Sequence, residues 1–218
     1  MIVLAIDTAG VDCSVAVYDT AAERLMASAT ETLGKGHAER LSGMIDDVMR
    51  QAMLTPDALG RIGVTVGPGS FTGIRVGVAA ARGLALALGI PAVGVTTLEV
   101  LVEAERHAKH AGPLTAAIDA KRGEIYLQPF DETGTPSDEP QALLLDDARA
   151  RIAVSGARAV GSGAAALLHS SAEADHFDIG AVARLAARKS NVTGKPAPLY
   201  LRGPDAKPQL GFAIERRA

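Results

Sequence analysis

The chain lacks tryptophan, has one cysteine, and draws only 3% of its 218 residues from Phe and Tyr. That scarcity removes the usual stacking platforms for single-stranded nucleic acid. Positive charge is not in excess either. Lys and Arg number 22 against 25 Asp and Glu, for a net charge of −3 and a pI of about 6.0. The isolated chain therefore lacks the overall electrostatic footprint of a nucleic-acid binder, and RNA would have to be held by something else. A lone Cys13 excludes an internal disulfide and fits a reducing compartment; its expected role is that of a small buried hydrophobe. Met1 to Ile6 run straight into Asp7 without the basic start and long apolar region of a signal peptide. Residues 76–100 are apolar, but Gly89-Ile-Pro91 interrupts them. A helix of about 16 residues before that break reaches about 24 Å, short of a bilayer core of about 30 Å. The expectation is no membrane and a cytoplasmic location.

The motifs of familiar chemistries are missing too. His37 has Leu41 at i+4, and His107 and His110 flank a helix end beside Lys109, so no histidine pair shares a buried face and no metal site is expected. Gly-x-Ser-x-Gly is absent, and Ser162 in Gly161-Ser-Gly163 has no identifiable base. Neither the Gly-Lys-Ser/Thr ending nor Gly-x-Gly-x-x-Gly occurs, so no phosphate-loop template is met.

What the chain has is an alternation of strand and helix patterns. Ile2–Ile6 is an apolar strand run, Asp7-Thr-Ala-Gly10 turns, and Cys13–Tyr18 returns as a hairpin strand, with a weaker third strand at Arg24–Glu31. From His37, the residues Leu41, Met44, Ile45, Val48, Met49 and Ala52 follow helical spacing. Arg61–Val66 is a strand, Thr72–Leu88 a helix stopped by Gly89, Ala92–Val95 a strand, and Thr97 to about His110 a helix. Then the pattern restarts. Leu114–Phe130 is again apolar strand, Asp, turn, alternating strand, and Asp119 follows Asp7 by 112 residues. Arg158–Gly163 gives a strand and glycine turn, Ala164–His169 and Ile179–Lys189 read as helices, and the tail from Gly194 is proline-rich with Leu199-Tyr-Leu201 as an anchor.

The helix Thr72–Leu88 is the least ordinary segment. It carries Gly73, Gly77 and Gly83, each costing about 1 kcal/mol relative to Ala in a helix interior. Gly73, Gly77 and Ala81 form a small stripe that permits close backbone approach, in the core or against a partner. Arg75 and Arg82 are its only charges. The helix from His37 and this one together offer more apolar and small surface than one sheet covers, which suggests a helical face seeking another chain. Asp7 and Asp119 occupy positions where actin-like ATPases and sugar kinases place carboxylates near magnesium and phosphate; a turn-forming role is the alternative. Thr8, Gly67, Gly69, Ser70 and Thr72 stand before a helix N-terminus where free amides could bind an anion, or simply make a tight turn.

Ile2-Val-Leu-Ala-Ile-Asp-Thr8, Gly67-Pro-Gly-Ser-Phe-Thr-Gly-Ile-Arg-Val-Gly77, Gly94-Val-Thr-Thr-Leu-Glu99, Ala117-Ile-Asp-Ala-Lys-Arg-Gly-Glu-Ile-Tyr126 and Pro198-Leu-Tyr-Leu-Arg202 resemble, in order, the TsaB (YeaZ) family of tRNA threonylcarbamoyladenosine biosynthesis. The resemblance implies an α/β, actin-like (ASKHA, ribonuclease-H-like) fold of two lobes, the second degenerate: residues 1–110 as the lobe carrying the partner helices, and 111–218 as a smaller lobe with an irregular tail. It implies a subunit without catalysis of its own. Such a subunit pairs with and activates a metal-binding TsaD-type transferase, which forms N6-threonylcarbamoyladenosine beside the anticodon of tRNAs reading A-starting codons. A TsaE-type ATPase joins the assembly, tRNA is met only through the complex, and a homodimer forms when the subunit is alone. No cofactor is required of the subunit, with ATP or ADP expected at most at the complex interface. By the same resemblance His37, Leu41, Met44, Ile45, Val48, Gly73, Arg75, Gly77, Ala81 and Arg82 form the heterodimer face. The paralogue's paired histidine ligands have no counterpart beyond His37. The rival expectation is a stand-alone actin-fold ATPase or phosphotransferase using Asp7 and Asp119.

Overall fold

A computed structural model describes residues 1–168, 174–190 and 194–202. Its first sheet comprises β1 (Ile2–Asp7), β2 (Asp12–Asp19), β3 (Arg24–Thr32), β4 (Leu59–Thr65) and β5 (Ala92–Val95), in the order β3-β2-β1-β4-β5. β1, β2 and β3 form an antiparallel meander, and β4 and β5 run parallel to β1. This is the ribonuclease-H-like arrangement of the actin-like fold. The continuous apolar run of β1 reflects its central place, since all but its first residue are buried. The helices α1 (His37–Gln51), α2 (Phe71–Leu88) and α3 (Thr97–His107) alternate with the later strands.

The second sheet comprises β6 (Leu114–Lys121), β7 (Glu124–Phe130), β8 (Gln141–Leu144) and β9 (Arg158–Val160), in the order β8-β7-β6-β9. β7 is antiparallel to β6 and β8, and β9 is parallel to β6. These four strands repeat the connectivity of β3, β2, β1 and β4. The duplicated strand–Asp–hairpin pattern of the sequence is thus a duplicated sheet with one strand fewer. Two short helices, α4 (Leu145–Ser155) and α5 (Ser162–Leu167), pack on it. β8 and α4 escape the sequence reading because one is a four-residue edge strand and the other carries only Leu145, Ala148 and Ile152 on its inner side. His169, expected at a helix end, lies outside the described residues.

The last helix, α6 (Ile179–Arg188), belongs by sequence position to the second half but packs on the first sheet, against β1, β2 and β4. Ala181, Val182, Ala183 and Ala186 are fully buried there. Ala186 lies so close to Gly63 on β4 that a Cβ at Gly63 would overlap it. Arg61 fastens the helix end: its Nη1 donates to the carbonyls of Ala186 (2.7 Å), Ala187 (3.1 Å) and Lys189 (2.8 Å). A boundary near residue 110 therefore divides the sheets but not the helical layers, because β1 and β4 need apolar cover on both faces and the first half supplies it on only one.

That one face is covered by α1 and α2. In α1, His37, Leu41, Met44 and Val48 are buried against the sheet and Ile45 is half-buried. In α2, Gly73, Gly77 and Ala81 face inward. A Cβ at Gly73 would overlap the Thr8 carbonyl oxygen, and one at Gly77 would lie 2.5 Å from the Thr8 hydroxyl and 3.4 Å from Val64. The glycine stripe thus serves the approach of α2 to its own β1 and β4, and the expectation that Gly73, Gly77 and Ala81 belong to a partner surface is corrected. Gly83 is different: nothing lies within 4 Å of its would-be Cβ. Among the described residues α2 is the one helix long and apolar enough to cross a membrane by length and composition, with a mean hydropathy of 1.4 and a third of it buried.

These placements predict opposite outcomes for two similar substitutions. Gly73→Ala should lose about 3 kcal/mol through overpacking, lowering Tm by about 6–12 °C for a chain of this size. Gly83→Ala should gain up to about 1 kcal/mol from helix propensity. Thermal unfolding followed by circular dichroism checks both, and an unaffected Gly73→Ala would refute the close approach.

Candidate functional site

The turn after β1 is the first place where chemistry was expected. Asp7 is wholly buried. Its Oδ1 accepts from the Ala9 amide (3.1 Å) and the Thr65 hydroxyl (2.6 Å), while Oδ2 is buried with no partner. Burial pushes its carboxyl up to about 6, against the hydrogen bonds from Thr65 and Ala9, which pull it down. The glycine-rich loop sits directly on this turn. The Ser70 amide donates to Ala9 O (2.7 Å), the Thr8 hydroxyl donates to Gly73 O (2.7 Å), and the Ser70 hydroxyl caps α2 by accepting from the Gly73 amide (3.2 Å). A Cβ at Gly69 would overlap Ala9 O. Gly67 is held through its carbonyl by the Thr97 amide (3.0 Å), and Pro68 through its carbonyl by the Thr97 hydroxyl (2.5 Å).

Of the groups expected to receive an anion, the Thr8 hydroxyl and the Ser70 amide and hydroxyl are therefore spent within the turn. Thr8, Gly67, Gly69 and Ser70 form a closed turn, and Thr72 stands exposed beyond it. The residues present do not fit a magnesium–phosphate group at Asp7. The space between the two Asp turns is filled as well. Asp175 O lies against Gly10 and accepts from the Val11 amide (3.3 Å), and His176 Nδ1 pairs with Asp12 Oδ2 (2.6 Å). Burial raises the Asp175 carboxyl, which is hydrogen-bonded to Ser162. On the other side, Asp119 closes its own turn on the Lys121 amide (2.8 Å) and ammonium (2.9 Å). Ser162 accepts from the Asp119 amide (3.0 Å), which makes it a bridge between loops. His37 Nε2 contacts Asp12 O (3.1 Å) in the core. Among the described residues no group of three His, Cys, Asp or Glu side chains could hold a metal ion.

The open surface lies on the far side of α2. Arg75 and Arg82 are exposed, as expected, and with them Phe71 (53%), Thr72, Ala79, Gly83 and Leu86 (78%). Phe71 and Leu86 were missed in the sequence. Their signal was the helical spacing of Phe71, Arg75, Arg82 and Leu86, which share one side of the helix. The outer face of α1 is polar instead, with Glu39, Arg40, Ser42, Asp46 and Arg50 exposed. The expectation for α1 is corrected: His37, Leu41, Met44 and Val48 are buried in the lobe's own core and Ile45 is half-buried, so of the expected partner residues Arg75 and Arg82 are the exposed ones.

Comparison with known proteins bears on the family and the fold. The family model for TsaD, tRNA N6-adenosine threonylcarbamoyltransferase, matches residues 28–177, more than half of the chain. The Escherichia coli K12 "tRNA threonylcarbamoyladenosine biosynthesis protein TsaB" is 34% identical over 147 residues, covering 66% of this chain. A Pseudomonas aeruginosa crystal structure of an uncharacterized protein with similarity to peptidase YeaZ superposes with a TM-score of 0.77 at 27% identity, over 92% of this chain and 99% of that one. The chain belongs to the TsaB (YeaZ) family. The Bacillus subtilis TsaB is likewise 34% identical, over 58% of this chain. An uncharacterized Mycobacterium tuberculosis H37Rv protein is 32% identical over 94% of both chains. The matches span 62% of the Escherichia coli TsaB and 53% of the Bacillus subtilis TsaB, less than two thirds of either. The Gly67–Gly77 segment shared with this family is the loop and inner stripe that seal the Asp7 turn.

The buried carboxyl makes stability depend on pH. An unfolded chain ionises Asp7 near pH 4, whereas the folded chain keeps the proton up to about 6. The folded state binds the extra proton, so this contribution to stability is present below about pH 4 and is lost as pH rises through about 6. The loss is on the order of 3 kcal/mol. Relative to wild type, Asp7→Asn should gain that amount between about pH 4 and pH 7, measured as the difference in denaturant midpoints. A constant difference across this range would mean that Asp7 ionises normally.

Proposed function

We propose that this chain is a subunit without a catalytic centre of its own in the formation of N6-threonylcarbamoyladenosine in tRNA, and that it pairs with and activates a TsaD-type transferase. One observation carries the reading: α2 is an apolar helix whose inner stripe is committed to its own sheet while Phe71, Ala79 and Leu86 remain exposed beside Arg75 and Arg82. Apolar surface flanked by arginines is the composition of a protein interface. The occupied turn at Asp7 and the filled space beside it support assigning the chemistry to the partner. The names of the TsaB relatives support the pathway. A homodimer through the same face when the partner is absent, a TsaE-type ATPase joining the pair, ATP or ADP at the complex interface, and a cytoplasmic location belong to the same reading.

The chain co-expressed with a TsaD-type protein should elute as a heterodimer. Leu86→Arg should weaken pairing at least about thirtyfold, the effect of a central interface residue. It should leave Tm unchanged, because Leu86 touches little of its own lobe, and tRNA modification by the reconstituted pair should fall in parallel. Pairing of Leu86→Arg at wild-type strength would remove α2 as the interface. Modification of tRNA by this chain alone would remove the non-catalytic role.

A further inference from the structure

A cleft of about 740 Å³ opens between the start of α2 and the β6–β7 turn. Three of the chain's seven aromatic side chains (four Phe, three Tyr) line it: Phe71, Tyr126 and Tyr200. Four cations join them, Arg75, Lys121, Arg122 and Arg202, and no carboxylate is among the lining residues. On a chain of net charge −3 this gathers cations in one place, with Asp119 and Glu124 pairing with two of them from just outside the lining. The cations are also held in place. The Arg75 guanidinium stacks 3.7 Å from the Phe71 ring centre, and its Nε donates to the Tyr200 hydroxyl (2.9 Å). Lys121 is tied to Asp119 (2.9 Å), and Arg202 to Glu124 (2.9 Å) and the Ala120 carbonyl (2.5 Å). A guanidinium fixed on an aromatic ring presents a planar fork suited to phosphate.

We infer that this cleft holds a single-stranded stretch of RNA, with Arg75, Lys121, Arg122 and Arg202 meeting its phosphates and Tyr126 and Tyr200 its bases. Cations on several segments interleaved with aromatic faces match a strand threaded through a basic groove. A free nucleotide fits less well, because the wall offers no carboxylate for ribose hydroxyls or for magnesium. Phe71 and Arg75 border both the proposed partner face and the cleft, while Leu86 lies about 16 Å further along the helix, so the cleft is tested on the chain without its partner. The inference goes beyond pairing, and its test uses the chain alone, so its failure leaves the proposed pairing standing.

Fluorescence anisotropy with a labelled single-stranded RNA of about 12 nucleotides, at low salt and with the full chain, reads the binding directly. Arg75→Ala and Arg122→Ala should each weaken it about tenfold and lower the salt slope by about 1. Tyr126→Ala should weaken it about tenfold with the slope unchanged. Arg50→Ala, on the outer face of α1, should match wild type. Circular dichroism confirms folding; should Arg75→Ala fail to fold, Lys121→Gln on the exposed turn replaces it. Absence of saturable binding, equal loss in Arg50→Ala, or displacement of the RNA by ATP or by a polyglutamate peptide at comparable concentration would overturn the inference.

Discussion

The contact between Thr8 and the first turns of α2 is the constraint on which the rest of the molecule depends. At Gly73 and Gly77 the helix backbone comes so near the end of β1 that no side chain fits between them. The Thr8 hydroxyl is bonded to Gly73 O, and the Ala9 carbonyl to the Ser70 amide. The intervening loop is pinned from further away by Thr97 and, through the Leu199 amide on Val66 O (2.8 Å), by the terminal segment. Three separate stretches of chain thus converge on residues 66–73. The motifs by which the family is recognised in the sequence are largely the parts of this one junction.

Two properties follow from the junction. It encloses Asp7, whose unpartnered oxygen and raised pKa come from being shut away from water. It also turns α2 so that Gly73 and Gly77 face in and Phe71, Arg75, Arg82 and Leu86 face out. The same rotation that seals a carboxylate inside leaves apolar side chains on the exterior. In an actin-like fold the central cleft is the natural place for ligands; here that space holds the chain's own Asp175 and His176, and the open surfaces are the back of α2 and the cleft at its start.

Much of the architecture was legible in the residues. The apolar run of β1, the alternation in β2 and the helical spacing in α1 all produced the elements they suggested, because each buries its face against a neighbour close in sequence. The recurrence of strand, Asp and hairpin around Asp119 correctly announced a repeated sheet. The side on which a small residue falls was not legible. Spacing put Gly73 and Gly77 on one stripe and Gly83 off it, but only the position of Thr8 shows that the stripe faces the chain's own sheet. The fate of Asp7 depended on Thr65 and Ser70, and that of Arg75 on Tyr200, contacts formed across the fold rather than along it. The low aromatic content suggested no stacking surface, yet composition is an average, and tertiary folding gathered three of the seven rings in one place. Arg61 gave no sign that it would anchor a helix more than a hundred residues away.

That anchoring bears on how the protein is made. The first sheet gains its second apolar cover only from Ala181, Val182, Ala183 and Ala186 of α6. As the chain leaves the ribosome, the first 107 residues already hold five strands and three helices, but β1 and β4 stay bare on one side until residues 179–188 have emerged. The halves are therefore stitched together rather than strung in series, with a high contact order that slows folding. During synthesis that bare apolar sheet face is where a chaperone would hold on.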